Sequence, residues 1–199
     1  MILKCKLDEE AIQSFGLAVL SQLTSELAMR REFASEAWVA ATAAAVSRTR
    51  TNTKQVILDR GAGRKETIKV ESPTRHAVDT CSWACKLFSH MAYDHVNRLA
   101  VADDGIGLVL QAMRLCAEDP TVQINACRAI YNFVYRCEAA HVLASEEDAL
   151  DAVAPILTNF TSDADLLILA KRTIRALQPD GWQGAADFRD LPSIQKAET

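Results

Sequence analysis

Apolar positions recur at intervals of three and four along most of the chain, the spacing that lines one side of an α-helix. Ile124, Cys127, Ile130, Val134 and Cys137 form one such stripe, and Val78, Cys81, Ala84, Phe88 and Met91 form another. Marks of helix initiation separate the stripes. Ser72-Pro73 and Asp119-Pro120 each set a capping side chain before a proline suited to the first helical position. Ser162-Asp163 predicts a further cap, while Asp103-Asp104 and Glu146-Glu147-Asp148 place negative charge where helix N-termini favour it. Seven Gly and five Pro are too few for the turns of a β-sandwich or barrel. The expected fold class is all-α.

The two stripes are one pattern displaced by 46 residues, with Ile124 falling on Val78, Cys127 on Cys81, Ile130 on Ala84, Phe133 on Leu87 and Val134 on Phe88. His141-Val142 then falls on His95-Val96. A displacement of 44 pairs Asp119 with Asp163, Ile124 with Ile168, Ala126 with Ala170, Arg128 with Arg172 and Ile130 with Ile174. A third register, at 110, pairs Ile12-Gln13 with Val122-Gln123 and Phe33-Ala34-Ser35-Glu36 with Leu143-Ala144-Ser145-Glu146. A helical period in the forties is the mark of armadillo and HEAT arrays.

The stretch 97–109, Asn-Arg-Leu-Ala-Val-Ala-Asp-Asp-Gly-Ile-Gly-Leu-Val, resembles the armadillo signature, in which a short first helix ends near a Gly and Ile-x-x-Leu-Val opens the second. The stretch 119–134, with Ala126, Ala129, Ile130, Asn132 and Phe133, resembles the armadillo third helix. The resemblance covers about 10–177 and is most specific over 93–136. The flanking units depart from it: Ala149 stands where Gly105 stands, and Gln22, Lys86 and Ala176 where Asn132 stands, which leaves a HEAT-like or mixed array open. The resemblance implies a right-handed α–α superhelix of about three repeats within a domain 1–177. Its units are a terminal helix at 8–28, a unit at 30–92 interrupted by an insertion at 51–72, and units at 93–136 and 138–177. Residues 178–199 read as a polar tail that Trp182 and Phe188 could dock. A solenoid normally hides its end behind a polar cap, so 8–28 is either that cap or the edge of a longer array.

The net charge of −4 conceals a division. Residues 48–75 carry eight basic and three acidic side chains, a net of +5, against fourteen basic and twenty-three acidic elsewhere, −9. Arg48, Arg50, Lys54, Arg60, Arg64, Lys65, Lys69 and Arg75 are the basic residues, and Gln55–Leu58 and Thr67–Val70 flank Gly61-Ala62-Gly63 as a small hairpin would. This segment is either a docking loop for an acidic or phosphorylated partner or RNA, or a solvated insertion of little thermodynamic cost. Between Trp38 and Trp83 no aromatic residue occurs, so stacking platforms for single-stranded RNA are missing there and nucleic acid is a minor alternative.

His76, Cys81, Cys85, His90 and His95 are close enough in sequence to suggest zinc, but helix geometry puts His90 roughly 180° from Cys81, so the set cannot converge tetrahedrally. The cysteines read instead as small core residues, and the expectation is no metal and no cofactor. Gly61-Ala62-Gly63-Arg64-Lys65 lacks phosphate-loop spacing, no Gly-x-Ser-x-Gly elbow occurs, and the acidic clusters sit at helix starts. A non-catalytic protein is expected.

In armadillo proteins the third helices stack to line a groove that holds an extended partner segment, with asparagine amides bracketing its backbone. The resemblance places Gln22, Ser82, Lys86, Arg128, Asn132, Tyr135, Arg172 and Arg175 in that groove. Ser82 takes the place of the family's groove tryptophan, with Trp83 one residue away. Only Asn132 keeps the ladder amide, and the four cations suit an acidic segment better than a basic one. These positions could equally form an ordinary solvated face. The expected partner is a protein. No run of eighteen uncharged apolar residues and no basic leader is present, so neither a membrane span nor secretion is expected, and the six Cys read as free thiols of the cytoplasm or nucleus.

Overall fold

The computed structural model describes residues 10–26, 29, 30, 33, 36–49, 51–59 and 65–178. Within them the chain runs α1 (Glu10–Leu23), α2 (Glu36–Ser47), β1 (Thr51–Asp59), β2 (Lys65–Pro73), α3 (Arg75–Tyr93) and α4 (His95–Leu115). It continues through α5 (Pro120–Val134), α6 (Glu138–Glu146), α7 (Ala149–Val153), α8 (Ile156–Asn159) and α9 (Ala164–Leu177). The architecture is mostly helical, with one antiparallel hairpin inserted between α2 and α3. Residues 1–9 and 179–199, including Trp182 and Phe188, lie outside the described residues.

Local chemistry starts several helices where the sequence marks them. Asp119 accepts from the Val122 amide with Pro120 in the first turn of α5, and Asp163 accepts from the Leu166 amide to open α9. Two marks operate differently. Pro73 closes strand β2 opposite Thr51, and the cap of α3 is Thr74, which accepts from Ala77. Asp103 and Asp104 lie exposed inside α4, which runs without a break from His95 to Leu115. The expected division of 97–109 into two helices is therefore not observed. Gly105 serves close packing there: a Cβ on it would come within 2.8 Å of Phe133 Cζ and 3.1 Å of the Phe88 ring. The break falls in the next unit instead, where Asp148 adopts φ 56° before α7 and Pro155 precedes α8.

Helices α1, α3, α5 and α9 form a row in which each packs on the next. A second layer covers one side of that row: α2 lies on α3 and α4, α4 on α3 and α5, and α6 on α4 and α5. The apolar stripes meet between the layers. Cys81, Ala84, Phe88 and Met91 of α3 and Cys127, Ile130 and Val134 of α5 are buried with Ile106 and Leu110 of α4. Ile124, Val78 and Cys137, the outer members of the stripes, are half-buried. Cys81, Cys85, Cys116 and Cys127 are buried free thiols, and burial raises Cys85 and pushes Cys127 up to about 12.

The insertion is a longer hairpin than the apolar pattern indicates. Nine residues pair in each strand, from Thr51 with Pro73 through Val56 with Ile68 to Asp59 with Lys65. Its two strands contain Lys54, Lys65 and Lys69 against Asp59, Glu66 and Glu71, so the excess positive charge of 48–75 belongs to arginines outside the strands.

The packing at Gly105 is open to a direct test. Gly105→Ala is expected to cost about 1–3 kcal/mol through overpacking. Gly107→Ala, whose added Cβ would meet nothing nearer than Glu147 at 3.6 Å, is expected to be neutral or to stabilise by up to about 1 kcal/mol. Urea unfolding of the two variants measures the contrast.

Candidate partner-binding face

The junctions between neighbouring helices define which side of the row looks outward. On α3, Ser82 and Ser89 meet α5: Asn125 Nδ2 donates to Ser82 Oγ at 3.1 Å, and Asn132 Nδ2 donates to the Ser89 carbonyl at 2.9 Å. Trp83 and His90, seven residues apart and so on one side of the helix, fall on the flank toward α1, where His90 Nδ1 lies 2.9 Å from the Ser21 carbonyl. Lys86 stands between these flanks. On α5, Asn125 and Asn132 face α3, while Tyr131 lies under the Arg172 guanidinium of α9 at 5.3 Å and the Thr173 hydroxyl donates to the Cys127 carbonyl at 3.2 Å. Arg128 stands between those flanks. Lys86 and Arg128 thus occupy the outward stripe of the two central helices, and both are half-buried.

This geometry brings most of the expected groove residues to one face and shows two of them bonded between helices. Asn132, the residue expected to bracket a partner's backbone, donates from Nδ2 to the Ser89 carbonyl, with Ser89 Oγ at 3.4 Å. Ser82 is likewise engaged by Asn125. The physical reason is that amide and hydroxyl groups at a helix junction are more favourably bonded across it than left to water and an absent ligand. Tyr135 caps α5 and stacks on Tyr131 at 5.4 Å, with the Arg136 guanidinium 5.2 Å from its ring. Gln22 and Arg175 are exposed at the two ends of the row.

Arg128 differs from its neighbours. Its Nε is buried and makes no hydrogen bond. Burial draws the guanidinium below its ordinary pKa, with only Asp165 acting in the opposite sense. Lys86 holds its ammonium 5.1 Å from the Trp83 ring. Asp79 and Asp165 are the acidic residues that open this stripe on α3 and α9, outnumbered by Lys86, Arg128, Arg172 and Arg175.

Of the basic insertion, Arg48 is exposed at the end of α2, Lys69 on β2 and Arg75 at the start of α3. Arg50, Arg60 and Arg64, and the side chains of Lys54 and Lys65, lie outside the described residues. The described insertion residues are not brought into the outward stripe of α3 and α5: the hairpin meets the helical layers where β2 adjoins α3. Among the described residues no three His, Cys, Asp or Glu side chains are grouped to hold a metal ion, and no helix is long and apolar enough to cross a membrane.

Asn125, His90 and Arg98 carry weight that sequence reasoning missed. Arg98 Nε donates to the Ala92 carbonyl at 2.9 Å and its Nη1 to the Tyr135 carbonyl, tying the ends of α3 and α5 together. His90 is held neutral: burial, aided by the charges of Arg30, Lys86 and Arg128, lowers its pKa from 6.5 to about 4 against the opposing bond to Ser21. The unfolded chain then binds a proton that the folded one refuses, so this contribution is complete above about pH 6.5 and is lost as pH falls toward 4. The loss is expected to reach about 3 kcal/mol. Urea unfolding at a series of pH values tests it, and His90→Gln should flatten that limb.

Comparison with known proteins yields no matching family model, no matching curated protein and no matching solved structure.

Proposed function

We propose that this chain is a non-catalytic protein-interaction module of armadillo-like architecture, a right-handed helical array whose row α1, α3, α5 and α9 receives an extended partner segment. The row supports this reading because each helix packs on the next, the arrangement expected of third helices in such arrays. The observation that carries the binding site is Arg128: a half-buried cation at the centre of the outward stripe, its Nε without an acceptor, beside Lys86 and Arg172. Burying a charge with only Asp165 to offset it is costly, and an acidic partner group against the exposed part of the side chain offsets it further. Recognition then rests chiefly on cations, with the second amide hydrogen and the Oδ1 of Asn132 beside them. The buried free thiols of Cys81, Cys85, Cys116 and Cys127 fit a reducing compartment, the cytoplasm or nucleus.

Affinity purification from native lysate in a salt series tests this function. Wild type should retain a partner that Arg128→Glu loses, with at least a tenfold drop in affinity. Retention of the same partner at unchanged affinity by the folded variant would sink the reading.

The hairpin favours a second reading. Thr67, Lys69 and Glu71 are exposed along it, and the ribbon touches the helices near its base. A two-stranded ribbon can enter a nucleic-acid groove or offer an edge to a peptide. Because its strands are charge-balanced, phosphate contacts would depend on the arginines at 48, 50, 60, 64 and 75. The pairing of Thr51 with Pro73 allows 52–72 to be replaced by two glycines. Under this reading, binding to a single-stranded RNA oligonucleotide falls steeply with salt in the wild type and vanishes in the replacement.

A further inference from the structure

Helix α1 is the first of the row: it packs on α3, and its flank away from α3 is open among the described residues. That flank is apolar. Phe15 is 66% exposed and Val19 and Leu23 are each 42% exposed. The three recur every four residues, so they form one ridge along the helix. The displacement of 110 sets Phe15, Val19 and Gln22 on Asn125, Ala129 and Asn132 of α5. Asn125 and Asn132 are the side chains by which α5 bonds to α3, and Ala129 is buried. Helix α1 therefore exposes the flank that α5 uses to rest on its neighbour in the row. The shape that fits it is another helix.

Charge narrows the occupant. From Ala11 to Ser25, about four turns, the chain carries no charged residue. Helix α2, which touches α1 and begins the second layer, carries none from Ala37 to Ser47. Such a flank offers no ion pair to an acidic or a basic helix, and burying it against an uncharged one desolvates no charge. The α1 flank itself meets that requirement. We infer that it pairs with the same flank of a second copy of this chain, the two α1 helices lying antiparallel about a two-fold axis at Val19. A two-fold contact needs a self-complementary patch, in which one residue meets a second and the second meets the first. The ridge is symmetric about Val19, so Val19 meets Val19 of the second copy, and Phe15 meets Leu23 on both sides of the axis. The antiparallel sense opposes the helix dipoles and keeps Glu10 and Glu26 from lying beside their own counterparts. The pairing is independent of the groove reading, which concerns the outward stripe of α3 and α5.

Helix α1 has 14 residues. A contact centred on one pair of helices of that length, about 21 Å, lies at the small end of specific interfaces, so the dissociation constant is expected at about 10–100 μM. Sedimentation equilibrium of the full chain from about 5 to 500 μM brackets that range. The mass is expected to rise from 21.8 kDa toward twice that value. Val19→Glu sets two carboxylates against each other at the axis and should weaken association at least tenfold. Val19→Lys should do the same, and an equimolar mixture of the two variants should recover it. A mixture of Phe15→Glu and Leu23→Lys should also associate, because antiparallel packing brings those two positions together. Circular dichroism checks that the variants are folded, and Phe15→Ser supplies the same loss where a charge at position 19 prevents folding. A chain that stays monomeric throughout overturns the pairing and leaves the flank to a helix of another protein. A dimer that the folded variants at 15 and 19 leave unchanged overturns it as well, and failure of the Phe15→Glu and Leu23→Lys mixture overturns the antiparallel sense.

Discussion

Near the C-terminal ends of α1, α3, α5 and α9, carbonyls at the junctions between helices are met by side chains from a neighbour. His90 reaches Ser21, Asn132 reaches Ser89, Arg98 spans Ala92 and Tyr135, and His141 Nε2 lies 3.0 Å from the Leu177 carbonyl. The carbonyls of a helix's last four residues, Ala92 and Leu177 among them, have no partner in their own helix, and leaving one buried and unmet costs about 1–3 kcal/mol. These bonds act with the burial of the apolar stripes to set the rotation of each helix about its axis. With Asn125 and Asn132 committed to α3, and Tyr131 and Cys127 to α9, one stripe of α5 remains outward, and Arg128 occupies its middle.

The same requirement shapes what the face can do. An asparagine bonded to an adjacent helix holds the scaffold together, and Asn132 has one amide hydrogen and its Oδ1 beyond the bond to the Ser89 carbonyl. Along the outward stripe the side chains between these junctions are Lys86 and Arg128. Cation–π contacts restrain several of the long side chains: Lys86 lies against Trp83, Arg172 against Tyr131, and Arg136 against Tyr135. Such contacts limit the rotamer freedom of these cations.

The close approach of α4 to Phe88 and Phe133 explains why a glycine that resembles a helix break is no break at all. At Gly105 the missing side chain admits two aromatic rings to the helix backbone, and the helical hydrogen bonds continue past it. Burial of Phe88 and Phe133 outweighs the local cost of glycine in a helix, about 1 kcal/mol. Asp103 and Asp104 were suited to a helix start by charge alone, but nothing at that point obliges the helix to begin again.

Helical content, the two core stripes and the caps at Asp119 and Asp163 were legible in the sequence. They depend on residues within one or two turns of each other: a period of 3.6 is written into neighbouring positions, and a cap satisfies an amide three residues away. The pairing of the hairpin was also legible in its centre, where Val56 meets Ile68. The candidate face was legible as a set of positions but not as chemistry. Whether Asn132 faces a ligand or a neighbouring helix depends on Ser89, 43 residues away, and whether Arg128 has an acceptor depends on helices α3 and α9 together. Those outcomes follow from how the helices rotate to bury their stripes and meet their carbonyls, and only the tertiary structure decided them.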